Sequence, residues 1–165
     1  MGAVTLIPAR SSDRDGVLAL MSQLYEHEGI EFVADRTGEA LDQLLAQPDW
    51  GMVFFIQPSS EPDSATTGVT TRPPIAGYGV LAYLYSLEFG GMVALLDELW
   101  ISEAWRGQGL GRATMGAIEQ CCHDRDLVAL RLEVSKTNTV ARSLYQSLGF
   151  QDLDRDFWTK RLTHS

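Results

Sequence analysis

The stretch EAWRGQGLGRATM, residues 103–115, places three glycines at alternate positions just before a run of helix-forming residues. Each glycine adds conformational freedom that folding must remove, so three together indicate a turn that other residues form poorly. The leading N–H groups of a helix have no partners within the helix and attract anions. Glycines there let a phosphate approach the backbone, and Arg106 and Arg112 add positive charge. The stretch therefore predicts an anion-binding turn between a strand and a helix.

Two common phosphate-binding patterns do not describe this turn. The pattern G-x-x-x-x-G-K-[ST] is absent from the chain, and Arg112 stands where G-x-G-x-x-G requires its third glycine. A flexible turn without a ligand is the alternative interpretation. The flanking arginines and the helix that follows favour a bound phosphate group of another kind.

Outward from the turn, hydrophobic periodicity predicts the element order β-α-α-β-β-β-α-β-α-β. The predicted strands are Val4–Ala9, Gly51–Gln57, Ile75–Ser86, Met92–Ser102, Leu127–Ser135 and Asp156–Leu162. The predicted helices are Asp13–Glu28, Thr37–Gln47, Leu110–Arg125 and Asn138–Gly149. We expect Ser11 or Ser12 to cap the first helix and Thr37 to cap the second.

This order predicts one α/β (α+β) domain over residues 1–165. Its mixed central sheet is expected to hold about six to seven strands, part of them parallel, with helices on both faces. Residues 58–74 are rich in Pro, Ser and Thr and predict a mobile loop between two strands.

Composition narrows the classes of function. The 165 residues carry a net charge of −9 and 45% are hydrophobic, which suits one domain with a sizeable core. The negative charge argues against a nucleic-acid partner and favours a cationic small substrate, although acidity also serves solubility alone. No apolar run is long enough to predict a membrane span, and the first residues lack a secretory signal pattern, so we expect a cytoplasmic protein. The adjacent Cys121 and Cys122 predict free, buried thiols and no metal site.

Three segments carry motifs beyond the glycine turn: RGQGLG (Arg106–Gly111), LDELWISEAWRGQGLG (residues 96–111) and NTVARSLYQSLGF (Asn138–Phe150). They resemble, in turn, the R/Q-x-x-G-x-G/A signature, the fourth strand with its turn, and the N-x-x-A-x-x-x-Y-x-x-x-G-F block of the Gcn5-related N-acetyltransferases (GNAT). The resemblance covers nearly the whole chain and implies a GNAT-like domain whose turn holds the pyrophosphate of acetyl-coenzyme A. The cofactor-binding residues that it implies are Leu99, Trp100, Ile101, Arg106, Gly107, Gln108, Gly109, Leu110, Gly111, Arg112, Asn138 and Ala141.

Acetyl transfer to an amine by direct attack in a ternary complex needs a base, an oxyanion donor and an acid. A free alkylamine has a pKa near ~10.4, so a carboxylate or a water chain must take its proton. Asp97 and Glu98 are the base candidates; both are retained, because neighbouring residues of a strand point to opposite faces. One of them could instead lie at an exposed edge. By the resemblance, a backbone N–H of residues 99–101 binds the oxyanion and Tyr145 protonates the leaving thiolate, although Tyr145 also fits the pattern of a core aromatic.

Two further segments resemble the diamine/polyamine type of acetyltransferase: YLYSLEFGGMVALLDELWIS (residues 83–102) and LYEHEGIEF (Leu24–Phe32). This likeness implies that Glu28 and Asp97 bind ammonium groups, and Glu133 is added as a third substrate-binding candidate. The neighbouring His27 is interpreted as a solvated histidine at a helix end rather than as a base.

Two other functions stay open at this point. One is an acetyltransferase acting on a protein N-terminus or a lysine, and the other is a non-catalytic sensor of acyl-coenzyme A. Retention of Tyr145 and of the acidic pair disfavours the sensor. A homodimer is expected by analogy with the fold, with the predicted strand Asp156–Leu162 at its interface.

Overall fold

The structure is a computed structural model, and it describes residues 3–59 and 74–162. Over these residues the strands are β1 (Val4–Pro8), β2 (Gly51–Pro58), β3 (Gly77–Ser86), β4 (Gly91–Ile101) and β5 (Ala129–Leu132). The α-helices are α1 (Arg14–Glu28), α2 (Ala34–Ala46), α3 (Leu110–Asp124) and α4 (Thr139–Ser147), with short 3-10 turns at Ser11–Asp13 and Glu103–Trp105. The chain divides into two compact units, of which the first ends at Glu133 and carries the sheet, while the second begins at Val134 and carries α4.

The sheet is mixed and follows the order β1-β2-β3-β4-β5. The first four strands are antiparallel neighbours, whereas β5 runs parallel to β4 after the crossover through α3. The α/β class, the mixed sheet and the nine elements from β1 to α4 are thus confirmed in their predicted order.

Two of the predictions about strands are wrong. Five strands form within the described residues, instead of six to seven, because Asp156–Leu162 adopts no regular structure. The side chain of Trp158 is 92% exposed and that of Leu162 is 77% exposed. A strand is stable only when a neighbour pairs its backbone and one face is buried, and this segment buries little apolar area.

The predicted helix caps are also wrong. Ser11 and Ser12 lie in the 3-10 turn, where the Asp13 carboxylate accepts a 2.9 Å hydrogen bond from the Arg10 N–H. Helix α2 begins at Ala34, so Thr37 is buried inside the helix and its N–H donates to the Val33 carbonyl. A helix extends toward its N-terminus when further turns can pack, and packing outweighs the preference of one cap residue.

Both faces of the sheet are covered. Helices α1 and α2 bury Val17, Met21 and Leu41 in one cluster with Val53, Tyr78, Val80 and Trp100 from the strands. Residues next to these in the strands point to the opposite face, and there Phe54 and Leu81 are also fully buried. Helix α3, which contacts β1, β4 and β5, buries Met115 and Ile118. The sheet therefore has a packed layer on each side.

A β-bulge interrupts β4 at Asp97. Val80 of β3 is paired with Glu98, whereas the next residue, Leu81, is paired with Leu96, which leaves Asp97 as the extra residue. A bulge of this kind breaks the alternation of side chains. As a result Leu96 and Glu98 face opposite sides of the sheet although they are two residues apart, and Glu98 joins the face covered by α1 and α2.

Strands β4 and β5 are paired over a short distance. Their parallel ladder joins residues 93–96 to residues 129–132 and extends no further in the described part of the chain. Beyond the bulge residue Asp97, residues 98–101 of β4 pair with β3, and the described residues form no ladder on their other side. This leaves the backbone groups of residues 97–101 that point away from β3 outside the ladder, which is the place where a ligand can be bound by main-chain atoms.

The predicted loop over residues 58–74 falls mainly on residues 60–73, which lie outside the described residues. Its first residue, Pro58, ends β2. Over the described ranges, none of the helices is both long and apolar enough to cross a membrane.

Candidate active site

The glycine turn has the backbone geometry that its sequence predicts. Gly107 has φ of 75° and Gly109 has φ of 79°, values in the left-handed region that L residues with a side chain rarely adopt. Gly109 is the N-cap of α3, and, apart from the glycine itself and its two chain neighbours, the described residues place no heavy atom within 4 Å of where a Cβ would stand on Gly107 or Gly109. The space beside the start of α3 is therefore open to a ligand, and the positive end of the helix dipole favours an anion there.

The other residues of the turn anchor it. Arg106 is exposed, and its Nε donates a 2.9 Å hydrogen bond to the Ile101 carbonyl. Gln108 donates from Nε2 to the Ala104 carbonyl at 3.0 Å. Leu110 is buried, so its side chain fixes α3 to the core while only its backbone is left for a ligand. Of the remaining predicted residues of the turn, Gly111 is half-buried and Arg112 is exposed.

Trp100 connects the turn to helix α1. The guanidinium carbon of Arg106 lies 4.5 Å from the centre of the Trp100 ring, and the His27 ring packs on the same indole at 5.2 Å between centroids. The indole Nε1 donates to Gln23 at 3.3 Å. Trp100 is 8% exposed, so its side chain is largely used for packing, while its half-buried neighbours Leu99 and Ile101 continue the strand.

Glu98 is held between two tyrosines. The Tyr25 phenol of α1 donates to its Oε1 and the Tyr78 phenol of β3 donates to its Oε2, each at 2.7 Å. Burial raises the pKa of Glu98; the two phenol hydrogen bonds pull it down again, and the Asp97 charge raises it. Burial and the Glu98 carboxylate raise the pKa of both phenols, so Tyr25 and Tyr78 stay protonated as donors at neutral pH.

Asp97 lies beside this group and is open to solvent. Its side chain is exposed at the bulge, and its charge raises the pKa of Glu98, Tyr25 and Tyr78. The two base candidates are thus brought together with different surroundings: Glu98 is half-buried and doubly hydrogen-bonded, whereas Asp97 is the exposed acid. A half-buried carboxylate with a raised pKa is the better proton acceptor near neutral pH.

The other substrate-binding candidates are exposed. Glu28 is the last residue of α1, directly before Gly29 with φ of 68°, and Glu133 follows β5 at the end of the first unit. His27 is exposed as predicted, but its ring also packs on Trp100.

The second unit carries the remaining predicted residues on α4 and at its start. Asn138 is the N-cap of α4. Its Oδ1 accepts a 3.1 Å hydrogen bond from the Ala141 N–H and so stabilises the start of the helix. Tyr145 is half-buried, with its ring 5.7 Å from that of Phe150, and burial raises the pKa of its phenol. Gly149, the last residue of the predicted helix, has φ of 89° and lies just beyond the end of α4. Tyr145 therefore keeps its proton at neutral pH, as an acid catalyst must.

Sequence reasoning missed the roles of Tyr25 and Tyr78. Tyr25 fits the helical spacing of a core residue, and Tyr78 lies in an apolar strand. One signal was available: an acid inside an apolar strand such as residues 93–101 must find hydrogen-bond donors when it is buried. That rule requires partners for Glu98 without saying which residues supply them, because the partners are 73 and 20 residues away in sequence.

The cysteines play no part in this site. Both are free, Cys122 is buried and Cys121 is half-buried, and burial raises the pKa of Cys122 to about 11. Within the described residues, no three side chains of His, Cys, Asp or Glu are grouped so that they could hold a metal ion.

Comparisons with known proteins agree with this arrangement. The sequence profile of the family described as "Acetyltransferase (GNAT) family" matches residues 21–150. The thialysine N-epsilon-acetyltransferase of Bos taurus is 28% identical over 153 residues, which cover 93% of this chain and 87% of that protein.

Solved structures share the fold. A possible acetyltransferase from Clostridium difficile 630 matches with a TM-score of 0.77 and 21% identity, covering 98% of this chain and 99% of that chain. A protein described as a "predicted acetyltransferase with acetyl-CoA", from Clostridium acetobutylicum, matches with a TM-score of 0.71 and 16% identity, covering 95% of this chain and 96% of that one.

Proposed function

The chain belongs to the acetyltransferase (GNAT) family and is an N-acetyltransferase that uses acetyl-coenzyme A, and we propose that its acceptor is the primary amine of a small cationic molecule. Polyamines, diamines and amino acids with a side-chain amine are the candidates. The observation that carries the proposal is the acidic pair on β4, with a half-buried Glu98 fixed by two phenols and an exposed Asp97 beside it. Such a pair both attracts an ammonium ion and can take its proton.

The glycine turn fits the diphosphate of coenzyme A. Positive φ at Gly107 and Gly109, with open space beside both, lets a phosphate come within hydrogen-bond distance of the N–H groups that begin α3. Arg106 and Arg112 are exposed next to the turn and add positive charge. Acetyl-coenzyme A supplies the acetyl thioester when bound, and the backbone groups of residues 99–101 that β5 does not pair are available to bind it.

Glu98 is the proton acceptor in this proposal. An ammonium group must lose a proton before its nitrogen can attack, and Glu98 takes that proton directly or through one water. Asp97, at the open side of the bulge, binds the cation and keeps Glu98 basic by repulsion between the two charges. Glu28 and Glu133 bind a second positive charge on the acceptor, which is what distinguishes a diamine from a monoamine.

Tyr145 is the acid in this proposal. Its phenol stays protonated because burial raises its pKa, so it can give a proton to the departing thiolate. A backbone N–H of residues 99–101 donates to the oxyanion that forms as the nitrogen attacks. Transfer is then direct, with both substrates bound, and needs no acetylated residue of the protein.

A cytoplasmic homodimer completes the proposal. The exposed apolar side chains of residues 151–162, among them Trp158 and Leu162, offer surface that a second copy would bury. Sedimentation analysis of the full chain should give twice the mass of one chain, which is 18.2 kDa. A monomer at micromolar concentration would contradict the proposed homodimer.

Release of coenzyme A thiol is the test of the function. The purified protein is given acetyl-coenzyme A with spermidine, putrescine, thialysine, free amino acids, an aminoglycoside, or peptides with a lysine or a free N-terminus. Turnover with a polyamine, diamine or thialysine is expected, and Asp97→Asn should raise the KM for the amine. Asp49→Asn, at an exposed site before β2, is the matched control and should leave KM unchanged.

The other outcomes of that panel contradict the proposal in different ways. Turnover with peptides alone indicates a protein acetyltransferase. Tight binding of coenzyme A without turnover on any acceptor indicates the sensor.

A further inference from the structure

Both oxygens of the Glu98 carboxylate are hydrogen-bonded by phenols from two different elements of the first unit. Tyr25 comes from the last turn of α1, and Tyr78 lies on the neighbouring strand β3, diagonally opposite Glu98. We propose that Tyr25 and Tyr78 are positioning residues for acetyl transfer, which hold Glu98 in one orientation and keep it ionised so that it can accept the proton of the incoming ammonium. The inference rests on the proposed function of Glu98.

The first part of the argument is electrostatic. Glu98 is half-buried and next to a second acid, Asp97, and both conditions favour the protonated carboxyl over the carboxylate. A protonated carboxyl cannot accept a proton from the substrate. Two O–H donors at 2.7 Å oppose this, because hydrogen bonds to a charged acceptor are stronger than bonds between neutral groups. The phenols thus oppose the burial and the Asp97 charge, which would otherwise favour the protonated form of Glu98 that cannot act as a base.

The second part concerns orientation. A glutamate side chain has several rotatable bonds, and fixing it in one rotamer lowers its conformational entropy. Each oxygen of Glu98 has one phenol donor, so rotation in either direction breaks a bond. A carboxylate has about four lone-pair sites, so two remain for the ammonium or for a bridging water. The two phenols of Tyr25 and Tyr78, called the tyrosine clamp below, therefore fix the Glu98 carboxylate and leave part of its hydrogen-bonding capacity for the substrate.

The phenols are themselves fixed. Tyr78 is 0% exposed and lies in the main hydrophobic cluster. Tyr25 is half-buried and packs edge-on against Phe32, with 5.7 Å between ring centroids and an interplanar angle of 83°. Because Phe32 lies in the segment between α1 and α2, the position of Tyr25 depends on that segment. We therefore assign Phe32 the role of support for Tyr25.

Among the described residues, the titratable groups that act on Glu98 are Tyr25 from α1, Tyr78 from β3 and Asp97 from β4. Arg36 of α2 acts on Tyr25 through its charge. Loss of one phenol removes a group that stabilises the carboxylate and leaves the burial and Asp97 in place. The proton affinity of Glu98 must then increase.

The experiment compares Tyr25→Phe and Tyr78→Phe with Tyr85→Phe. Tyr85 is on β3 like Tyr78 but is 66% exposed and outside the site, so Tyr85→Phe is the matched control. The pH profile of kcat/KM is measured with the best amine of the panel. In both clamp variants we expect the acid limb to move to higher pH by roughly one unit and kcat on the plateau to fall roughly tenfold. The KM for acetyl-coenzyme A should stay unchanged, and Tyr85→Phe should match the wild type.

A second readout does not depend on the acceptor amine. The titration of the Glu98 carboxyl carbon is followed by ¹³C NMR and assigned with Glu98→Gln. Its midpoint should rise in Tyr25→Phe and in Tyr78→Phe. If the wild type acetylates no amine while this midpoint rises, the clamp stands and the proposed function fails.

The reverse results overturn the inference. An unmoved acid limb in an active Tyr25→Phe enzyme, or an unmoved Glu98 midpoint in that variant, shows that the phenols do not control the base. If Tyr78→Phe does not fold, Tyr25→Phe decides the question alone, since Tyr25 is only half-buried.

Discussion

The guanidinium carbon of Arg106 lies 4.5 Å above the Trp100 ring. Arg106 belongs to the glycine turn and Trp100 to β4, so this contact fixes the anion-binding turn to the strand that carries the acidic pair. Arg106 Nε also donates a 2.9 Å hydrogen bond to the carbonyl of Ile101, the last residue of β4. The two contacts thereby connect the candidate coenzyme site to the strand that carries Glu98.

Replacement of Arg106 by alanine should weaken the binding of acetyl-coenzyme A. The cation–π contact is worth roughly 0.5–2 kcal/mol, and with the lost hydrogen bond the expected rise in KM is about tenfold. The KM of Arg106→Lys should lie between those of the wild type and Arg106→Ala, because lysine keeps the charge but not the planar stacking. Arg125 stacks on Tyr83 at 5.5 Å at the far end of α3, which makes Arg125→Ala the control. An equal effect of both alanine variants would contradict the account.

A methyl group at Gly109 should disturb both the fold and the coenzyme site. Left-handed backbone is unfavourable for alanine by roughly 1–2 kcal/mol, and the new Cβ would enter the space left for a phosphate. Gly116 is also on α3 with open space around it but has ordinary helical backbone, so Gly116→Ala should stabilise by about 1 kcal/mol. Thermal unfolding with and without coenzyme A measures both effects. A Gly109→Ala protein as stable and as coenzyme-binding as Gly116→Ala would disprove the role of the turn.

Tyr145→Phe should bind coenzyme A normally and lose most turnover. The phenol is the acid in the proposed mechanism, and a general acid contributes roughly 10²–10⁴-fold to rate. The decrease should lie in kcat, since phenylalanine keeps the packing against Phe150. Steady-state kinetics beside calorimetric binding of coenzyme A makes the distinction. Full activity in this variant would remove Tyr145 from the mechanism.

The pH dependence should follow Glu98. Its ordinary pKa of 4.5 is raised, so it keeps its proton at pH values where an exposed glutamate has lost it. The basic form appears only as the pH increases through the raised pKa, and kcat/KM should therefore increase with pH along a limb centred above 4.5.

Two variants test that assignment from opposite directions. Asp97→Asn removes a charge that raises the Glu98 pKa, so the limb should move to lower pH. Glu98→Gln should remove the limb together with roughly 10²-fold of the rate. A limb that Asp97→Asn abolishes and Glu98→Gln retains would make Asp97 the base instead.

Local features of this molecule could be predicted from the sequence, because short-range chemistry determines them. The glycine turn before α3 and the start of α3 at Leu110 are confirmed. Each follows from a glycine or from a helical pattern within a few residues. The family resemblance is confirmed as well, and it depended on motifs of the same short range.

The features that were missed depend on contacts between distant segments. The bulge at Asp97 exists only in the pairing of β4 with β3, and a strand sequence read alone predicts regular alternation. The partners of Glu98 come from α1 and β3, which no spacing rule connects. The segment Asp156–Leu162 has strand-forming residues, but this property yields a strand only when a neighbour is available.

The most direct test of the account is a matrix of initial rates in which acetyl-coenzyme A and the best amine of the panel are varied together, with the product identified by mass. Direct transfer in a ternary complex predicts intersecting reciprocal plots and one acetyl group on a primary nitrogen of the amine. Parallel lines with an acetylated protein residue, or coenzyme A release without an acetylated amine, would contradict the central claim.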